Sequence, residues 1–396
     1  MKLPQLINET IKIDQLIPGG QAIATAADGK KIFLWNALPG EVVTEFLVTK
    51  SKSHYTEATA MKFAQASPLR VKPHDECYLA TSPWQILDEK SENTAKSELL
   101  AEIYRQHNLP DNLNTAFQGD GKFYAYRNKM EYALYYDHED GQIHLAFHQR
   151  SSHRKVRADS SSLEMPAIFQ RATKIINELN QTGADARDYQ SLLLRASQTG
   201  TVSGGLYRNH QPHPNFSNLS DEILGRKYTY SPNGFFQINL PVYEMALMEI
   251  QPWIQTEQVL DLYAGVGTIG LSVAREQELT LVESNAAAYR ELVTNCQGTT
   301  AQPVLAKSEE ALDYIKPNQT VILDPPRSGC DAKLITRLQE TMPTRIIYLS
   351  CNPATQARDV KTLLKSYQII HSSGFNFFPR TPHLENLIVL EHKAWA

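Results

Sequence analysis

Hydrophobic positions follow three successive patterns along the chain. Over residues 1–65 apolar and polar residues alternate in short runs: Ile11-Lys12-Ile13, Lys31-Ile32-Phe33-Leu34-Trp35, and Glu41 to Val48. Turn residues separate them at Pro18-Gly19-Gly20, Asp28-Gly29-Lys30 and Leu38-Pro39-Gly40. A period of two marks half-buried strands, and Asp-Gly between two of them marks a hairpin. Four or five such strands in residues 1–65 predict a small OB-like β-barrel. Residues 66–225 mix a Pro-, Ser- and Asp-rich connection, helical periods at Asn93–Gln106 and Ala167–Leu179, and strand runs at Met130–Tyr136 and Ile143–Phe147. They read as a linker and a central α+β domain. From residue 226 the pattern changes again. Apolar runs at Val259–Leu262, Leu279–Val282, Val304–Ala306, Val321–Leu323 and Ile346–Leu349 alternate with helical segments, among them Thr268–Arg275, Glu309–Ile315 and Ala354–Lys365. Two further runs, Tyr367–His371 and Leu387–His392, close the chain. Strands alternating with helices predict an α/β, doubly wound, mainly parallel sheet over 226–396, a Rossmann-like arrangement whose ligands bind at the carboxyl ends of the strands.

Composition narrows this picture little. The 396 residues suit two or three domains. No run approaches 18 apolar residues, and the start, MKLPQLINETIKID, lacks the apolar centre of a signal peptide. A cytoplasmic protein, without a membrane and expected to be a monomer, follows. The net charge of −4 gives no global attraction to nucleic acid, so such binding needs local patches. His148 to Arg157 is one, with four basic residues, two histidines and no acid. A solvated turn explains it as well as phosphate contact does. The four cysteines, Cys77, Cys296, Cys330 and Cys351, form no C-x-x-C pair, so no metal site built on cysteine is expected.

Candidate chemistry starts at Asp261-Leu262-Tyr263-Ala264-Gly265-Val266-Gly267-Thr268-Ile269-Gly270. The G-x-G-x-x-G spacing follows a strand, opens a helix, and has Glu283 at the end of the next strand. That combination holds the ribose of NAD or, equally, of S-adenosylmethionine. Two details favour the methyl donor. Asp261 would repel a pyrophosphate but attract a cationic amino-acid moiety. The fourth strand ends in Asp324-Pro325-Pro326-Arg327, which NAD sites do not need.

Several motifs then converge. DPPRSGC at 324–330, YLSCNPAT at 348–355, FNFFPRTPHLEN at 375–386, FFQIN at 235–239 and DLYAGVGT at 261–268 resemble those of the RNA uridine-C5 methyltransferases, which form 5-methyluridine in rRNA and tRNA. The N-terminal barrel resembles the TRAM domain of many members. The resemblance implies a class I methyltransferase domain that uses S-adenosyl-L-methionine. It implies Cys351 as a nucleophile towards uracil C6 and Glu385 as the base that removes the C5 proton. The same carry-over places Gln237, Tyr263, Glu283 and Asp324 at the cofactor, with Glu283 on the ribose and Tyr263 and Gln237 near the methionine end. Arg327 and Asn352 would contact substrate or support those that do, and His383 would orient Glu385 or cap its strand. Covalent attack at C6 has a physical rationale: C5 of uracil is a poor nucleophile until a thiolate makes it an enolate carbon.

The chain departs from the family in places. Many members carry an iron–sulfur cluster, but the matching stretch here, Cys77 to Gln85, keeps one cysteine, so none is expected. Ala264 stands where cysteine is frequent, Asn376 where Asp is usual, and Arg380 where Gln, His or Tyr is usual. The RNA target is expected to be a single-stranded loop whose uracil flips out, with Phe235, Phe236, Phe377 and Phe378 as stacking candidates and Arg127, Lys129 and the run to Arg157 as phosphate contacts. The barrel leans the reading towards rRNA rather than tRNA. Two alternatives remain at this point. One is a nucleic-acid amine N-methyltransferase, against which Arg327 after the two prolines counts. The other is a non-catalytic RNA-binding protein with a relic cleft.

Overall fold

The computed structural model describes residues 5–150, 154–158, 161–208, the backbone of 211–213, and 216–395. Five strands, Gln5–Leu16, Ala22–Thr25, Lys31–Trp35, Val42–Ser51 and Tyr55–Gln65, close into the expected barrel. Alternate residues point inward, among them Ile11, Ile13, Ala22, Ala24, Ile32 and Leu34. The Asp28-Gly29 turn forms as its sequence dictates. Gly29 adopts φ 85°, and the Asp28 carboxylate accepts the Lys30 N–H at 2.9 Å.

A six-stranded antiparallel sheet forms the centre of the chain, in the spatial order Gln211–His213, Val202–Arg208, Ser191–Ala196, Lys129–Asp137, Gln142–His148, Lys155–Arg157. The helix Pro166–Thr182 covers one face with Ile168, Ala172, Ile175, Ile176 and Leu179.

The last part of the chain is built on seven strands: β1 (Gln258–Leu262), β2 (Glu278–Glu283), β3 (Gln302–Leu305), β4 (Gln319–Leu323), β5 (Arg345–Ser350), β6 (Tyr367–Phe375) and β7 (Glu385–His392). Their spatial order is β3-β2-β1-β4-β5-β7-β6, parallel except for β7. Every residue of β4 and β5 is buried. Helices cover both faces of such a sheet, which is why these strands read as unbroken apolar runs. The doubly wound, Rossmann-like fold expected from the sequence is therefore present. The expected helix Glu309–Ile315 is absent. Only a single 3-10 turn, Leu312–Tyr314, forms there. Seven residues ending two positions before Pro317 are too few to sustain a helical nucleus.

The segment after the barrel joins this sheet. Phe117–Gln118 pairs with the end of β6 as an eighth strand. The helix Glu89–His107 is capped by Asp88, which accepts from Lys90 and Ser91, and stops at Asn108 in the left-handed region. It packs Leu99, Leu100 and Ile103 into the same core as Leu323, Tyr348 and Ile388. No helix among the described residues is long and apolar enough to cross a membrane.

The barrel comes close to the loop before β7 at Gly20. A Cβ on Gly20 would lie 2.0 Å from Pro382 Cβ, and Gly20 has φ +87°. Its carbonyl accepts the Trp84 indole N–H at 3.1 Å. Gly19 has a similar φ of +97° but nothing within 4 Å. Gly20→Ala should therefore lower stability by about 1–3 kcal/mol more than Gly19→Ala, as overpacking adds to shared backbone strain. Thermal midpoints of the two variants measure this; equal midpoints would contradict the close contact.

Candidate active site

Strand register decides which residues meet. Leu323 of β4 pairs with Leu262 of β1 and Tyr348 of β5, so Asp324 and the Gly-rich turn leave the sheet at one edge. β7 runs against β5, with Ser350 opposite Asn386. The first residue of β7 therefore lies at the last residues of β5. Glu385 comes opposite Cys351, at the ligand edge rather than the far one, and pairs on its other side with Phe375. The antiparallel direction of β7 puts it there.

The cleft is acidic and short of water. Asp261 is 1% exposed and Glu385 2%. Burial raises the carboxyl of Asp261 to about 8, with Asp324 and Glu283 adding repulsion and the Gly270 N–H opposing it. Burial raises Asp324 to about 7. Glu385 is held well above the usual carboxylate range by burial and then by Asp324, against the pull of Arg327. Cys351 is half-buried. Burial pushes its thiol up to about 11, Glu385 and Asp324 push the same way, and Arg327 opposes them. Burial thus works against ionisation of each of these groups.

The Gly-rich turn is shaped by its acids. Gly265 and Gly267 adopt φ 57° and 89°. Glu283 Oε2 accepts the Gly265 N–H at 2.8 Å, and Asp261 Oδ2 accepts the Gly270 N–H at 2.9 Å. A Cβ on Gly270 would approach that carboxylate to 2.8 Å. Asp261 Oδ1 is buried without a partner. A buried partnerless carboxylate oxygen beside further acids suits a cationic ligand and rejects a pyrophosphate. Of the two nucleotide cofactors compatible with G-x-G-x-x-G, S-adenosylmethionine fits these residues. Gln237 is buried, two residues after Phe235, which is 74% exposed. Tyr263, at φ 64°, turns its ring into a cavity with Glu309, Pro326, Gly329, Cys330 and Arg358.

Two loops bracket Cys351. The Arg327 carbonyl accepts from Asn352 Nδ2 at 2.8 Å and Thr355 Oγ1 at 3.2 Å, which ties DPPRSG to SCNPAT and leaves the Arg327 side chain exposed. On the other side His383 packs edge-on against Phe378. Burial lowers its pKa to about 4, and the cations Arg327, Lys96, Arg150 and Arg127 push the same way, so its ring is neutral at pH 7.

The loop 376–384, which delivers His383 and Glu385, is held by residues that sequence reasoning missed. Glu92 and Lys96 lie on one face of the helix Glu89–His107, and both are fully buried. The Glu92 carboxylate accepts from Asn376 Nδ2 at 3.0 Å, from the Arg380 N–H at 2.9 Å and from Arg380 Nη1 at 2.9 Å. Lys96 donates to Asn376 Oδ1 at 2.6 Å and to the Phe378 carbonyl at 3.1 Å. Trp84 donates to the Arg380 carbonyl, and Tyr126 of the central region to the Pro379 carbonyl. Asn376 and Arg380, two of the departures from the family pattern, are thus internal partners of this cluster. Only the helical spacing of Glu92 and Lys96, i and i+4, was a signal, and surface pairs share it.

Of the basic run His148–Arg157, residues 151–153 lie outside the described residues. Arg150 donates to the Leu79 carbonyl and stacks 4.5 Å over Trp35 of the barrel. Lys155 donates to the Leu134 carbonyl, and Arg157 pairs with Asp137 and Asp140. Cys77, Cys296 and Cys330 are buried.

The strand order and the Gly-rich turn at the edge define a class I methyltransferase fold. Comparison with known proteins refines this. The model of a family described as tRNA (uracil-5-)-methyltransferase matches residues 310–393, which span β4 to β7. The chain is 27% identical to an uncharacterized RNA methyltransferase of Prochlorococcus marinus, over 89% of this chain and 99% of that protein. It is 26% identical to one of Thermosynechococcus vestitus, over 96% and 97% of the two. Its fold is similar to that of Pyrococcus abyssi tRNA (uracil-54, C5)-methyltransferase in complex with S-adenosyl-L-homocysteine, with a TM-score of 0.76, 23% identity, and 96% and 99% of the chains covered. The chain is thus similar to RNA methyltransferases over most of its length, and the family model over 310–393 agrees with the resemblance to the uracil-C5 enzymes read from its motifs.

Removing one member of a buried ion pair leaves the other charged in a dry site, which costs about 3–5 kcal/mol. Glu92→Gln and Arg380→Gln should each lose that much by denaturant unfolding, while Glu92→Gln/Arg380→Gln together lose less than the sum. Additive losses would show that the two side chains do not act as a pair.

Proposed function

We propose that this chain methylates C5 of uridine in RNA, with Cys351 as nucleophile and Glu385 as general base. The observation that carries the reading is the β5–β7 register, which sets a thiol and a buried carboxylate against each other at the carboxyl edge, beside the acidic cleft. Bound S-adenosylmethionine supplies the methyl group and a positive charge suited to that cleft, with Asp261, Glu283, Asp324 and Gln237 as the residues that would hold it. Cys351 gives up its proton to solvent, and the thiolate adds to C6 of a flipped uracil, shifting the C5–C6 electron pair onto C5 and O4. Once C5 carries the methyl group, Glu385 removes its remaining proton. The C5–C6 double bond re-forms as the C6–S bond breaks, and the thiolate is released. A carboxylate with a raised pKa is a stronger base for that step than an exposed one. Arg327, at the mouth, favours the thiolate; neutral His383 packs beside Glu385. Phe235 offers an exposed ring for stacking, and the charges of Arg127 and Arg150 reach His383.

The barrel supported rRNA in the sequence reading. The Pyrococcus abyssi protein, whose name specifies tRNA, aligns over nearly the whole of both chains, so the barrel does not separate the two targets. We keep rRNA as the first target to test. An amine N-methyltransferase needs no thiol, and the Cys351–Glu385 pairing favours the C5 reaction over it.

Uridine-containing rRNA and tRNA carrying 5-fluorouridine should form a complex with the protein stable to denaturation, because fluorine at C5 blocks proton removal. Cys351→Ala should form none and should make no 5-methyluridine. Adduct formation by Cys351→Ala, or full methylation by it, sinks the assignment. Arg327 also has a readable role. Arg327→Met should raise the pKa of Cys351 further, moving the pH midpoint of its alkylation by iodoacetamide upward and lowering kcat/KM at neutral pH. An unchanged midpoint would show that the guanidinium does not act on the thiol.

A further inference from the structure

The loop Ser231–Asn239 carries Phe235 and Gln237 along the cleft, yet its shape is set from outside the methyltransferase sheet. Five of its main-chain carbonyls are taken by three residues of the central antiparallel sheet. Asn128 donates its N–H to the Ile238 carbonyl at 3.1 Å and its Nδ2 to the Gln237 carbonyl at 3.0 Å. Lys129 Nζ donates to the carbonyls of Asn233 and Gly234, each at 3.1 Å. Arg195 donates Nη1 to the Gly234 carbonyl at 3.1 Å and Nη2 to that of Phe236. Arg195 is fully buried, and the acceptors of these two bonds are main-chain oxygens of this loop. A buried guanidinium is costly unless its donors are matched. Here carbonyls take Nη1 and Nη2 while Nε stays without a partner, and the stacked rings of Tyr230 and Phe236 lie with centroids 5.1 and 5.6 Å away. From the methyltransferase side the loop receives Glu291, which accepts the Ser231 N–H at 2.9 Å.

A loop held at consecutive carbonyls presents its side chains in one orientation. Holding Gln237 O and Ile238 O fixes the plane from which the Gln237 side chain projects. We infer that Asn128, Lys129 and Arg195 are positioning residues for the methyl donor: the domain flanking the RNA side shapes the cofactor loop, so that affinity for the cofactor depends on side chains that do not touch it. The inference rests on the reading of Gln237 as a cofactor residue. Lys129 and Arg195 stand next to Arg127, whose charge adds to theirs. The paired strands Lys129–Asp137 and Ser191–Ala196 therefore bring Lys129 and Arg195 to the loop, beside Arg127, where RNA phosphates are proposed to pass.

Titration calorimetry of the full chain with S-adenosylhomocysteine tests this, with Gln237→Ala as the control for the underlying reading. Asn128→Ala should weaken binding about tenfold, the loss of a buried donor to a loop carbonyl. Arg195→Met should weaken it further, and Arg195→Lys should recover part of the loss, since lysine keeps the charge but not the two-pronged geometry. In steady state the cofactor KM should rise while kcat at saturation and the RNA KM stay within about twofold, a split that general loosening would not produce. Wild-type affinity in Asn128→Ala and Arg195→Met, with Gln237→Ala weakened, would overturn the inference and leave the cofactor reading standing. Unchanged affinity in Gln237→Ala as well would overturn both. A parallel loss in kcat and both KM values would assign the three residues to folding alone and overturn the inference. If Arg195→Met does not fold, Asn128→Ala carries the test.

Discussion

The carboxylate of Glu92 is the point on which the catalytic edge depends. It is fully buried, and residues almost three hundred positions away in the chain bond to it. An uncompensated carboxylate in that position would be expensive, so the Arg380 guanidinium, the Arg380 N–H, Asn376 and Lys96 must all arrive together. Their arrival fixes loop 376–384, and that loop ends at Glu385. Trp84 and Gly20 bring the barrel to the same loop, and Tyr126 brings the central domain. Three parts of the chain thus converge on the segment that delivers the proposed base.

Burial acts in two directions around this edge. It makes hydrogen bonds and ion pairs strong enough to hold a loop, as at Glu92. It also disfavours unpaired charge in the cleft, raising the pKa of Asp261, Asp324, Glu385 and the Cys351 thiol. A cleft of this kind is poised for cations. Each positive charge that enters lowers the cost of ionising the thiol and the acids together. Arg327 is the resident contribution, and it is placed at the rim by Asn352 and Thr355 rather than by an ion pair.

Much of the fold was legible because its signals are local. Period-two runs and an Asp-Gly turn specify barrel strands from neighbouring residues alone, and unbroken apolar runs specify strands buried on both faces. The strand-end motifs were legible for the same reason: DPPR and SCNP are short, contiguous, and attached to predictable strands. The helix expected at Glu309–Ile315 failed because its pattern was right but its length was not. Asn376 and Arg380 could be noticed as departures, but their meaning needed Glu92 and Lys96, which lie on a helix far away in sequence.

The sequence by itself determined which elements form, which strand ends carry chemistry, and which residue types are available there, since backbone propensity, turn chemistry and hydrophobic period act between near neighbours. It did not determine which ends meet. That Glu385 faces Cys351 follows from β7 entering antiparallel between β5 and β6, and that loop 376–384 holds its shape follows from a buried charge on a distant helix. Both depend on pairings across long separations in the chain, whose energy comes from excluding water around groups that have no relation to one another until the chain has folded.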